Sequence, residues 1–130
     1  MGLTRDQILS VSDLTIEAVE VPEWGGTVYV RNLPGRLRDK FDASRYRLQG
    51  NKVEVIHENT RATLLALSLC DEHGTLLFTE QDIEALGEKS AGVLDRLFDI
   101  AQRLSSLRPK DLEDKLKNSG ADRNGAFSLR

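Results

Sequence analysis

From Thr15 to Val21 the side chains alternate, with Thr15, Glu17, Val19 and Val21 on one side and Ile16, Ala18 and Glu20 on the other. A period of two marks a strand with one covered face. Thr27-Val28-Tyr29-Val30-Arg31 is rich in β-branched and aromatic residues, which suit a pleated, half-buried surface. Between the two runs stands Pro22-Glu23-Trp24-Gly25-Gly26, whose glycines supply positive φ without steric cost. Two strands about such a turn predict an N-terminal β-hairpin.

The rest of the pattern is mostly helical. Thr4-Arg5-Asp6-Gln7 reads as a capping box that opens a short helix carrying Ile8, Leu9 and, toward its end, Val11. Pro34-Gly35 opens a second helix over Arg36 to Tyr46, with Leu37, Phe41 and Tyr46 on one side and charged residues on the other. Gln49-Gly50-Asn51 breaks it. Val53-Glu54-Val55 alternates like a strand, but the Ala- and Leu-rich run that follows favours helix by length. The expectation is therefore helix for most of Val53 to Leu69, ending near Ser68. Asp71-Glu72-His73-Gly74 is a turn signal between Leu69-Cys70 and Thr75-Leu76-Leu77-Phe78, which predicts a second small hairpin. Thr79 to Asp82 caps a helix bearing Ile83 and Leu86 and stopped by Gly87. Ser90 caps the clearest helix, where Leu94, Leu97, Phe98, Ala101 and Leu104 recur at helical spacing. Pro109 is expected to end it, and Asp111 to Lys117 reads as a short polar helix. The result is an α+β domain, mostly helical, in residues 1–118, with residues 119–130 as a loose polar tail.

Composition narrows the class. At 130 residues the chain is one domain able to bury a core without staples, and with 5% aromatics that core is aliphatic. A net charge of −3 argues against nucleic acid as a partner, which calls for a basic face. Cys70 is alone, so no disulfide framework exists and an intracellular setting is favoured. No run approaches a membrane span, and the polar N-terminus lacks a signal-peptide apolar region.

Chemistry was sought at each plausible place. Leu86-Gly87-Glu88-Lys89-Ser90 has no glycine at the offset a phosphate loop needs. Cys70 lies in an apolar run, where a thiol is an inert small residue rather than a nucleophile paired with His57 or His73. Asp71, Glu72 and His73 lack the alternating oxygen ligands of a calcium loop. The expectation is no enzyme, no cofactor and no metal. Trp24 has two readings: folded back over the hairpin as cover, or projecting as an anchor into a neighbouring subunit. The basic run Arg31, Arg36, Arg38, Lys40, Arg45 and Arg47 is interleaved with Asp39 and Asp42. It reads first as a solvated helix face and second as a partner-binding patch. Trp24, Tyr29, Arg31, Arg36, Arg38 and Phe41 are the candidate oligomer or partner contacts.

Taken in order, these marks carry a resemblance. Val19-Glu20-Val21-Pro22-Glu23-Trp24-Gly25-Gly26-Thr27-Val28-Tyr29-Val30-Arg31, then Arg38-Asp39 and Phe41, Leu65-Ala66-Leu67-Ser68-Leu69-Cys70-Asp71-Glu72-His73-Gly74, Leu77-Phe78-Thr79, Leu86-Gly87-Glu88-Lys89-Ser90, the Val93-Leu94-Asp95-Arg96-Leu97-Phe98 helix and Lys117-Asn118 follow one another along nearly the whole chain. This layout resembles the tail assembly chaperones of long-tailed bacteriophages, notably siphophages. The resemblance implies a non-enzymatic protein of the host cytoplasm, absent from the mature virion. It implies self-association into rings or spirals, binding to the tape measure protein, and recruitment of major tail tube subunits. It also implies that a longer, frameshifted form is made in many members. The alternative is a head-tail connector or tail terminator retained in the particle.

Overall fold

The computed structural model describes residues 1–106. The N-terminal hairpin forms as the alternation requires: β1 (Ile16–Val21) pairs antiparallel with β2 (Gly26–Arg31), from Ile16 opposite Arg31 to Val21 opposite Gly26. This register puts Glu17, Val19 and Val21 on one face with Val28 and Val30. Val21 and Val30 are fully buried. The turn is a 3-10 turn over Pro22–Trp24, closed by Gly25 at φ +80°, a conformation in which a Cβ would be strained. A third strand, β5 (Leu69–Cys70), adds to the free side of β2.

Helices cover the inner face of this sheet. The chain's clearest helix, α5 (Ala91–Leu104), buries Val93, Leu94, Leu97 and Ala101, the stripe its spacing foretells. It packs on β2 and on α3 (Thr60–Ala66), which contributes Ala62, Leu64, Leu65 and Ala66. Arg61 of α3 and Asp95 of α5 form an ion pair across that seam. The second helix, α2 (Gly35–Ser44), adds Leu37 and Phe41 to the core, and α4 (Ile83–Gly87) closes it with Leu86. Gly87 sits so close to α3 that a Cβ there would run into the side-chain oxygen of Asn59.

The expected capping box is present: Thr4 and Gln7 bond each other's backbone at the start of α1 (Arg5–Ser10). Ahead of a 3-10 turn over Glu80–Asp82 that runs into α4, the Thr79 hydroxyl accepts from the Gln81 N–H while the Asp82 carboxylate accepts from the Thr79 N–H. Ser90 takes the N-cap position of α5 without a side-chain hydrogen bond. The small hairpin expected after Leu69 reduces to one antiparallel bridge, Cys70 to Leu76, around a turn held by Asp71. The Asp71 carboxylate accepts from the backbone N–H groups of His73 and Thr75 at 2.8 and 3.0 Å. The result is the α+β architecture the pattern implied.

Three expectations fail. The span Val53 to Asn59 is not helical: β3 (Tyr46–Gln49) and β4 (Lys52–Val55) form an extra hairpin, and α3 begins only at Thr60. Gly50, at φ +64°, takes the first position of a two-residue turn, where a type II′ hairpin requires glycine. What read as a helix breaker is a hairpin turn, and Tyr46 belongs to a strand rather than to α2. Third, α5 ends at Leu104, ahead of Pro109, where the Leu33 N–H donates to Ser105 Oγ at 2.9 Å. Ser106, at φ +60°, turns the chain out of the helix just beyond it. The helix expected at Asp111 to Lys117 and the tail at 119–130 lie outside the described residues.

Leu97 is fully buried where α5 meets the sheet. Truncating a side chain so placed leaves a cavity. Leu97→Ala is expected to lower stability by about 2–5 kcal/mol, read as a lower urea midpoint at unchanged slope.

Candidate interaction surfaces

The tip of the β1–β2 hairpin is tied down rather than free. Glu23 accepts two hydrogen bonds from Arg96 of α5, at 3.0 and 3.1 Å. At the hairpin's base Arg103, two turns further along α5, donates to both oxygens of Glu17 at 3.0 Å. The bonds from Arg96 hold the Glu23 carboxyl far below its ordinary range, at about 2, and Glu23 in turn raises the Arg96 guanidinium. Both side chains remain substantially exposed, so solvent screens the pair and its main effect is orientation.

That orientation turns Trp24 partly inward. It remains 36% exposed and lines a shallow cleft of about 440 Å³ with Phe78, Asp82, Ala85, Leu86 and Lys89. The indole covers α4 on one side and leaves about a third of its surface open on the other. Phe78 also lines a second, larger depression of about 690 Å³. Its apolar walls are Leu37, Ala66, Leu67, Leu76, Phe78 and Ile83, from α2, α3 and the segment leading into α4. Lys40 and Glu80 stand at its rim as an ion pair at 2.5 Å. The hydrogen bond from Lys40 lowers the Glu80 carboxyl below its usual range. Groove and Trp24 cleft abut through Phe78.

The other candidates do not gather into one patch. Tyr29 is half-buried opposite Ala18 and Cys70. Arg31, at the far end of β2 from Trp24, donates to the Gly74 carbonyl at 2.6 Å. Arg38 reaches the Ser105 carbonyl at 3.5 Å and Asp42 at 3.7 Å. These two arginines tie together segments remote in the chain. Arg36 is exposed and has no ionic partner among the described residues. Phe41 is 1% exposed; as a core residue under the Arg45 guanidinium, it has no surface to offer a partner, and the expectation of a contact there is corrected.

Two surfaces escaped the sequence reading. In the β3–β4 hairpin Tyr46 stands opposite Val55 and Leu48 opposite Val53, so four apolar side chains share one face. All four are exposed, Leu48 at 71% and Val53 at 67%. The alternation Tyr46-x-Leu48 and Val53-x-Val55 about Gly50-Asn51 was the signal. The other surface is α1, which has no buried residue and leaves Leu3, Ile8, Leu9 and Val11 mostly bare.

Cys70, by contrast, is buried; desolvation raises its thiol, and its Sγ donates to the Tyr29 carbonyl at 3.7 Å. Such a thiol stays protonated and packs. Among the described residues no cluster of His, Cys, Asp and Glu could hold a metal ion, and no helix is long and apolar enough to cross a membrane.

A sequence model of the family described as phage tail assembly chaperone matches residues 9–118. The chain belongs to that family. The resemblance drawn from the sequence is thereby borne out. In shape this chaperone is similar to a solved structure of the bacteriophage HK97 tail assembly chaperone, with a TM-score of 0.55 and 22% identity, covering 76% of this chain and 90% of that one. At that identity the likeness speaks for the fold. No curated protein sequence matches the chaperone.

The Glu23–Arg96 pair makes a pH prediction. A carboxylate whose folded pKa is depressed stabilises the fold above its unfolded pKa and loses that contribution as pH falls through the folded one. Between pH 4.5 and about 2, wild type is therefore expected to lose more stability than Glu23→Gln, so that their melting temperatures converge. A difference constant across that range would show that the ion pair contributes nothing.

Proposed function

We propose that this chaperone binds the tape measure protein in the host bacterial cytoplasm, self-associates along it, helps recruit tail tube subunits, and is left out of the finished particle. The observation that carries this reading is the open apolar groove between α2 and α3, continued by the Trp24 cleft. An apolar-striped helix is recognised by laying its apolar face into such a groove, anchored every three or four residues. Lys40 and Glu80 at the rim offer one charge of each sign to the polar flanks of that helix. Trp24, half-exposed beside Phe78, supplies a rigid aromatic edge, and exposed Arg36 is a further candidate contact.

The work is adhesion, with no bond made or broken. Occupying the client's apolar stripe lowers the concentration of its sticky free form by mass action. Many copies on one long client keep it soluble until tube subunits, binding the same client more favourably, displace them. A chain of net charge −3 suits a protein client better than nucleic acid, and neither membrane nor cofactor enters this scheme.

Co-expression with the tape measure protein tests it. Wild type is expected to keep the client soluble and to co-purify with it. Gln81→Trp places bulk at the exposed groove wall and is expected to lower the co-purified client about tenfold, as a loss of ~1.4 kcal/mol would. Trp24→Ala acts in the same direction. Undiminished capture by both variants removes the groove from the mechanism, and abundant copies of this chain in purified virions overturn the chaperone reading in favour of a structural component.

A further inference from the structure

We infer that the contact between copies is head-to-tail, with α1 of one copy covering the apolar face of the β3–β4 hairpin of the next. This rests on the self-association proposed above and names the surfaces that make it. Each of the two elements is inadequate alone. α1 has six residues, none buried, whereas isolated helices need roughly 12–15 residues to be even marginal in water. The β3–β4 hairpin exposes every residue of both strands, and a lone two-stranded hairpin is at best marginally stable. Its register nevertheless sorts its side chains cleanly: Tyr46, Leu48, Val53 and Val55 on one face, Arg47, Glu54, Gln49 and Lys52 on the other. A face so sorted is built to be covered.

A second copy is the occupant that fits. Every chain carries both elements, so each copy brings one donor and one acceptor in equal number. Each patch offers on the order of 400 Å² of apolar surface, comparable to the largest patch a monomer leaves bare. Joined, and with their polar rims, the two approach the roughly 1,200 Å² that a stable interface needs. The packing agrees as well: a helix laid on a sheet face is the arrangement this fold already uses where α5 covers β2, and it favours the unlike pairing. Contacts between unlike surfaces do not close at two; they extend into rings or open spirals.

Sedimentation velocity on the full chain over a concentration series tests this with one charge placed in each patch. Ile8→Asp and Leu48→Asp substitute exposed side chains, and circular dichroism checks that both variants keep the fold. Each alone is expected to be monomeric. Mixed in equal amounts, the two retain one intact donor and one intact acceptor, and are expected to give a dimer that does not grow with concentration. If Ile8→Asp assembles like wild type, or the mixture stays monomeric, the head-to-tail contact is overturned while self-association stands. A wild type that remains monomeric at high concentration overturns self-association and this contact together.

Discussion

The fold rests on the covering of one sheet face by one helix. Val21 and Val30 on the β1–β2 hairpin are fully buried, and the helix that packs against this hairpin, α5, carries Leu94 and Leu97 in the same core. Neither partner suffices alone, because a hairpin needs a covered face and a helix of this length gains most of its stability from packing. The remaining elements attach to this pair: β5 adds to the free side of β2, α3 packs along α5, and the Glu17 and Glu23 ion pairs to α5 fix the angle at which hairpin and helix meet. Buried apolar contact supplies the stability, and the exposed charge pairs select among ways of making it.

What was legible from residues alone is what local spacing encodes. The β1–β2 hairpin, the Thr4 capping box and the α5 stripe each declare themselves within one window. The β3–β4 hairpin did not, since strands of four residues give too few repeats to outweigh the Ala- and Leu-rich run beside them. The end of α5 falls ahead of Pro109 because Ser106 takes φ +60°, a turn that no local residue pattern marks. The candidate contacts divide for a similar reason. Phe41 and Leu37 fall on the same helix face, and sequence cannot say whether that face meets core or partner. Arg31 and Arg38 read as surface cations, yet both are held by backbone carbonyls remote in the chain. The exposed faces of α1 and β3–β4 were invisible because an apolar pattern looks the same whether its own chain covers it or not.

The proposed client groove and the exposed apolar faces lie on separate surfaces. The groove bounded by α2 and α3 reaches the tip of the first hairpin through Phe78, whereas the unpaired apolar faces lie on α1 and on β3–β4. Under the proposed function such a division would keep each added copy from competing with the client for the same surface.

The shortness of β3 and β4 has a further consequence for any neighbour that docks there. Two strands of four residues, carrying Arg47, Lys52 and Glu54, offer little backbone template for a neighbouring strand to zip onto. Adhesion to the exposed face would run through side chains, each of which lets go independently. Such a contact would stay reversible, whereas a backbone ladder between subunits would tend to lock them into a fibril.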